Sequence, residues 1–133
     1  MRSSTSHNAP WLQWLGMPYK LGAHPSTGAA DCLQLTLAVL DLAGQPAPQV
    51  DRAWYRLAAA GRWDDLRRMI IDGTDPVTGG QAFDVALLPG GEVHGLGFGV
   101  CCSFGLLTAT PEHGVHWRGL HQVTPEHWFR FRR

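Results

Sequence analysis

Charge of a dominant sign is missing from this chain of 133 residues, in which eleven Lys and Arg face eleven Asp and Glu. Such a balance gives no bulk attraction to nucleic acid or to an anionic membrane surface. The one local bias, Phe129-Arg130-Phe131-Arg132-Arg133, is too short to act as a nucleic-acid patch. Long apolar runs are missing too: none approaches the ~20 residues that span a bilayer. The opening stretch from Met1 to Pro10 lacks the apolar centre of a signal peptide, so the expectation is a protein made in a cytoplasm without an export signal of its own. Cysteine is scarce. Cys32, Cys101 and Cys102 make an odd count, with no disulfide framework and no Cys-x-x-Cys metal spacing. Cys101 and Cys102 would point to opposite faces of a strand and read as packing residues. His113, His116 and His121 have no carboxylate or thiol at ligand spacing, so neither a metal nor a cofactor is expected. Internal repeats and low-complexity segments are absent as well.

What is present is enough for one domain with a real core, spanning 1–133. Residues 1–9 form a polar, Ser-rich arm. Trp11 to Leu15 reads as a short helix stopped by Gly16 and Pro18, placed as a lid over the core. Asp31 is a good N-cap for a buried helix running to about Ala43, with Gly44 beyond its end. Asp51 is the expected cap of a second helix, Arg52 to Ala60, and Trp63 to Ile71 resumes helical spacing after Gly61. The stretch 45–80 thus reads as a helical insertion. Beyond a turn-rich segment from Asp72 to Gly80 the pattern changes to short β-rich runs. These are Phe83 to Leu88, Val93 to Cys102, Gly105 to Thr110 and Val115 to Leu120, and the spacing predicts an antiparallel meander. Trp128 to Arg133 would add an edge strand. In the second run Gly95, Gly97 and Gly99 share a face, which would let another element approach closely.

Cys32 is the residue with chemistry. A thiol in the first turn of a helix meets unpaired amides and the positive end of the helix dipole, which favour a thiolate. His94 opens a strand of the sheet. The reading is therefore α+β, with N-terminal helices, one of them bearing Cys32, packed on a C-terminal antiparallel β-sheet bearing His94. A helix-borne thiol facing a strand-borne imidazole is the arrangement of a cysteine peptidase, in which the His takes the thiol proton and amides hold the oxyanion.

Several motifs occur in one order: Pro18-Tyr19-x-x-Gly22, Asp31-Cys32-Leu33-x-Leu35, Asp84-Val85, His94-Gly95-Leu96-Gly97, Leu107-Thr108-Ala109 and Gly114-Val115. Together they resemble the NlpC-type cell-wall peptidases, papain-like cysteine hydrolases that cut stem peptides of bacterial peptidoglycan. The resemblance runs from about Trp14 to Trp117 and leaves 45–80 outside the usual short core. It implies Cys32 as nucleophile, His94 as general base, Tyr19 as a tyrosine near the thiol that supports the oxyanion or packs, and Thr108 where the family's base-orienting polar residue falls. Phe83 stands where the family usually has Gly. The Asp-Cys-Leu start, the Trp54-Tyr55 pair and the closing aromatic and Arg-rich strand look most like the versions in tailed phages and gene-transfer particles. That likeness implies a phage tail-tip component, with other tail or baseplate proteins as partners and the virion tail as location. The alternative it leaves is a structural tail or baseplate subunit with weakened or lost catalysis.

Overall fold

The computed structural model of the chain describes residues 10–49, 52–90, 95–102 and 105–132. The arm at 1–9, the expected cap Asp51 and the expected base His94 lie outside them. Three α-helices come first: α1 (Cys32–Leu42), α2 (Arg52–Ala59) and α3 (Trp63–Gly73). Six strands follow: β1 (Thr74–Pro76), β2 (Val85–Pro89), β3 (Leu96–Cys102), β4 (Gly105–Thr110), β5 (Gly114–Arg118) and β6 (His127–Phe131). They form one antiparallel sheet in the order β1-β6-β2-β3-β4-β5. The architecture is α+β, with the helices packed on the sheet as expected.

The start of α1 follows from its cap. Asp31 holds extended backbone (φ −97°, ψ 174°), and its carboxylate accepts the N–H of Gln34, one of the donors a helix start leaves unpaired. From Leu33 to Leu40 the helix is apolar almost all round, and its side chains are buried against β3 and β4. Alternation along the strands supplies the other half of the core: Leu87, Phe98, Val100, Leu107 and Phe129 all face α1. The opposite sheet face carries a small second cluster of Ala86, Leu88 and Leu106, covered in part by Val123 and Trp128. Cys102 is in the main core and Cys101 is buried on the other face; both are free thiols used for packing.

Three elements differ from expectation. First, β6 is not an edge strand, because it pairs with β1 on one side and β2 on the other. Its alternation explains the placement. Phe129 and Phe131 enter the core, while Arg130 Nε donates to the buried Asp84 carboxylate at 2.9 Å and Arg132 Nε donates to Asp75 at 2.8 Å. Second, the edge is β1, in a stretch rich in turn residues; Pro76 is tolerated there because an edge strand leaves N–H positions unused. Third, the short helix expected at Trp11 to Leu15 is not an α-helix, although Trp11 does cover the core. The segment Pro10–Trp14 is a 3-10 turn whose Trp11 is buried edge-on against Phe83, at 5.7 Å between ring centres. Phe83 holds φ +70°, a left-handed conformation that Gly adopts freely and Phe does not. The glycine-lined stretch of β3 is filled from neighbouring elements: the Trp63 ring of α3 lies against Gly95, and Leu106 of β4 lies across Gly99.

Candidate functional site

The loop before α1 places Tyr19 beside the helix start. Tyr19 and Ala30 form an isolated parallel bridge, in which Ala30 N–H donates to Pro18 O at 3.0 Å and Lys20 N–H to Ala30 O at 3.1 Å. The buried Asp31 carboxylate ties this loop to two helices. Its Oδ2 accepts Gly22 N–H and the Tyr55 hydroxyl of α2, both at 2.6 Å, and its Oδ1 accepts Gln34 N–H at 2.7 Å. Sequence reasoning found the cap but missed Tyr55. Helical spacing places Trp54, Tyr55 and Ala58 on one face, but it does not name Asp31, 24 residues away, as the partner of Tyr55.

Cys32, the first residue of α1, is partly exposed, and its Sγ accepts the N–H of Phe98 in β3 at 3.4 Å. The described groups around the thiol do not poise it as a thiolate. Burial pushes its pKa up to about 12, and the Asp31 carboxylate adds to this. The amides of Phe98, Leu33 and Cys32 itself oppose the rise and do not overcome it. The expectation of a stabilised thiolate at the helix start is corrected on this point, because burial of the sulfur outweighs its amides and the capping carboxylate beside it works in the same direction. Burial, followed by Cys32 and Asp31, likewise pushes the Tyr19 phenol up to about 12.

Thr108 lies where the β3–β4 ladder opens. Regular pairing ends at Gly99↔Thr108, so Phe98 does not continue it with Ala109. Its backbone groups are taken instead by side chains: the N–H by Cys32 Sγ, and the C=O by the Thr108 hydroxyl, which donates at 2.7 Å. Leu107 and Ala109 both face α1, so Thr108 between them lies on the opposite sheet face. One peptide residue therefore links the threonine to the thiol.

Cys32, Tyr19 and Leu96 line two pockets at once. One, of about 100 Å³, is walled by Trp54, Tyr55, Ala58, Trp63, Leu66 and Phe98. The other, of about 140 Å³, sits at the opening between β3 and β4 and reaches Gly90, Thr108, Thr110 and Arg118. Cys32 thus lies on the wall that the two pockets share. His24 does not enter either pocket; its Nδ1 accepts Ser26 N–H at 3.1 Å and caps the turn Pro25–Thr27. His113 and His116 lie 5.4 Å apart between ring centres, and His116 Nδ1 contacts Gly114 O at 2.8 Å. Among the described residues no three His, Cys, Asp or Glu are grouped to hold a metal ion.

No protein-family model matches the chain, and no curated protein matches it by sequence. Solved structures do. A protein from Staphylococcus aureus subsp. aureus Mu50, described as similar to a lipoprotein of the NLP/P60 family, superposes with a TM-score of 0.58 and 18% identity. The match covers 100% of this chain and 43% of that one, so the chain spans less than half the length of the staphylococcal protein. The NlpC/p60 domain of the peptidoglycan hydrolase SagA gives a TM-score of 0.58 and 15% identity, over 98% of this chain and 100% of that domain. The chain has the fold of an NlpC/p60 domain.

Proposed function

We propose that the protein is a cysteine peptidase or amidase acting on peptidoglycan stem peptides, with Cys32 as nucleophile and His94 as general base. The observation that carries this reading is the position of Cys32, at the first turn of α1, on the wall that two pockets share and with its Sγ within reach of a strand amide. Its fold is shared with a domain whose name states peptidoglycan hydrolysis. Burial favours the neutral thiol, so in this reading the proton leaves as the sulfur attacks. His94 takes it, the Sγ–C bond forms, and the carbonyl oxygen becomes an oxyanion. Tyr19, which keeps its phenolic proton up to about 12, supplies a donor to that oxygen. His94 then returns the proton to the leaving amine, and water releases the acyl group. Thr108 is matched to the position that orients the base, and its oxygen keeps acceptor lone pairs after the hydroxyl has donated to Phe98 O.

Placement at a phage tail tip, with tail or baseplate proteins as partners, extends this reading and is supported by the Asp-Cys-Leu start and the Trp54-Tyr55 pair. A second reading, a structural tail subunit with weakened chemistry, is favoured by the high pKa of the thiol and by the bond that occupies the Thr108 hydroxyl. Purified peptidoglycan separates the two. The wild-type protein releases new amino groups and Cys32→Ala releases none; equal release by the variant sinks the mechanism, and no release by either favours the structural subunit.

A further inference from the structure

The buried Asp31 carboxylate, next in sequence to Cys32, joins three elements at the site. Gln34 N–H of α1 donates to it at 2.7 Å, Gly22 N–H of the loop that carries Tyr19 at 2.6 Å, and the Tyr55 hydroxyl of α2 at 2.6 Å. Capping the helix needs only the first of these. We propose that Tyr55 is a positioning residue for the reaction at Cys32: its hydroxyl holds the Asp31 carboxylate and disperses its charge, so that negative charge can develop on the adjacent sulfur. The inference rests on the hydrolase reading and adds to that site a residue from the segment outside the family's short core.

The bond has the direction and strength that this role needs. An ionised carboxylate only accepts and a protonated phenol donates, and a charge-assisted bond of this kind is about twice as strong as a neutral one. Burial, and then the bond to Asp31 itself, push the Tyr55 phenol far above its ordinary pKa, so the proton stays on the hydroxyl. After burial, Asp31 is what opposes a thiolate at Cys32. A donor that disperses the Asp31 charge works against that opposition.

Among the described residues, the titratable groups that face Cys32 are Asp31 beside it, Tyr19 on the preceding loop and Tyr55 on α2, with Glu112 acting on Tyr19 from the turn after β4. The strand β3 offers the Phe98 amide, and Arg118 of β5 lines the second pocket. His94, the proposed base, lies outside the described residues. The helix α2 is seated independently of the hydroxyl. Trp54 stacks on Phe98 (5.9 Å between ring centres, 6° between planes) and on Phe131 (6.3 Å, 26°), so Tyr55→Phe removes the bond and leaves the helix anchored.

Alkylation of Cys32 by iodoacetamide, counted by peptide mapping of the intact protein between about pH 6 and about pH 10, reads thiolate formation without requiring turnover. Tyr55→Phe is expected to move the rate–pH curve to higher pH, slowing the reaction at pH 8 by on the order of threefold or more. Asp31→Asn and, separately, Asp31→Ser keep a good helix cap and remove the charge, and each should move the curve to lower pH. In either background, adding Tyr55→Phe should then leave the curve where it is. An unchanged curve in folded Tyr55→Phe overturns the proposal. So does a slowing of the same size with and without the Asp31 charge, which is what a merely loosened helix start would give. The expected shifts in a protein that releases no amino groups from peptidoglycan would count against the hydrolase reading alone.

Discussion

At Cys32 two demands compete. The helix start and the Phe98 amide favour a negative sulfur, while burial and the neighbouring Asp31 carboxylate favour a neutral one, and the second pair prevails. The balance is held partly from a distance, because Phe98 is fixed on its other side by Thr108. Thr108→Val removes the hydroxyl and leaves a buried carbonyl without its donor, a change that costs about 1–3 kcal/mol. Urea titration should show that loss, and alkylation of Cys32 at pH 8 should slow as the Phe98 amide loosens from the sulfur. Thr108→Ser should restore both. Stability equal to wild type in the valine variant would show that the hydroxyl anchors nothing. The Asp31 cap and the helix start at Cys32 were legible from sequence because helix capping is local chemistry. The Tyr55 bond to Asp31 was not, because it joins residues 24 apart in the chain.

Among the elements, β4 has the span expected from sequence, Gly105–Thr110, and α1 begins directly after its predicted cap. The order of strands was less readable. Neighbours in a sheet are set by which apolar faces meet in the core, so β6, written as alternating Phe and Arg, looked like an edge and lies inside. Phe83 shows the opposite limit: a bulky residue holds a left-handed backbone that its type gives no sign of. The ring packs on Trp11 and offsets that strain. Phe83→Ala should therefore destabilise more than Phe83→Gly, by about 1 kcal/mol, since alanine keeps the strained φ and loses the ring while glycine loses only the ring. Thermal melts of the two variants decide it, and a more stable alanine variant would mean the backbone relaxes there.

On the scale of the whole molecule, acidic and basic residues balance, but several buried or half-buried groups hold their protons unusually tightly. Cys32, Cys102 and Tyr19 are each pushed up to about 12, chiefly by burial, against ordinary values of 9.0 for the thiols and 10.0 for the phenol. The folded state therefore binds more protons than the unfolded chain once the pH passes about 9. Their contribution to stability is complete below the unfolded values and is lost as pH rises towards about 12. The melting temperature should be flat from about pH 7 to 8.5 and fall above about pH 9, more shallowly in Cys102→Ala; no fall by pH 11 would contradict the burial assigned to these groups.

At the same thiol, a covalent acyl-enzyme between Cys32 and a peptidoglycan stem peptide is the species that separates a hydrolase from a structural subunit most directly. Acid quenching of the protein during reaction with purified peptidoglycan fragments, followed by intact-mass and peptide mapping, reads this directly. An adduct equal to the acyl fragment is expected on Cys32, absent in Cys32→Ala and much reduced in His94→Ala. Hydrolysis that proceeds at the wild-type rate in Cys32→Ala, with no adduct on the sulfur, would contradict the acyl-enzyme.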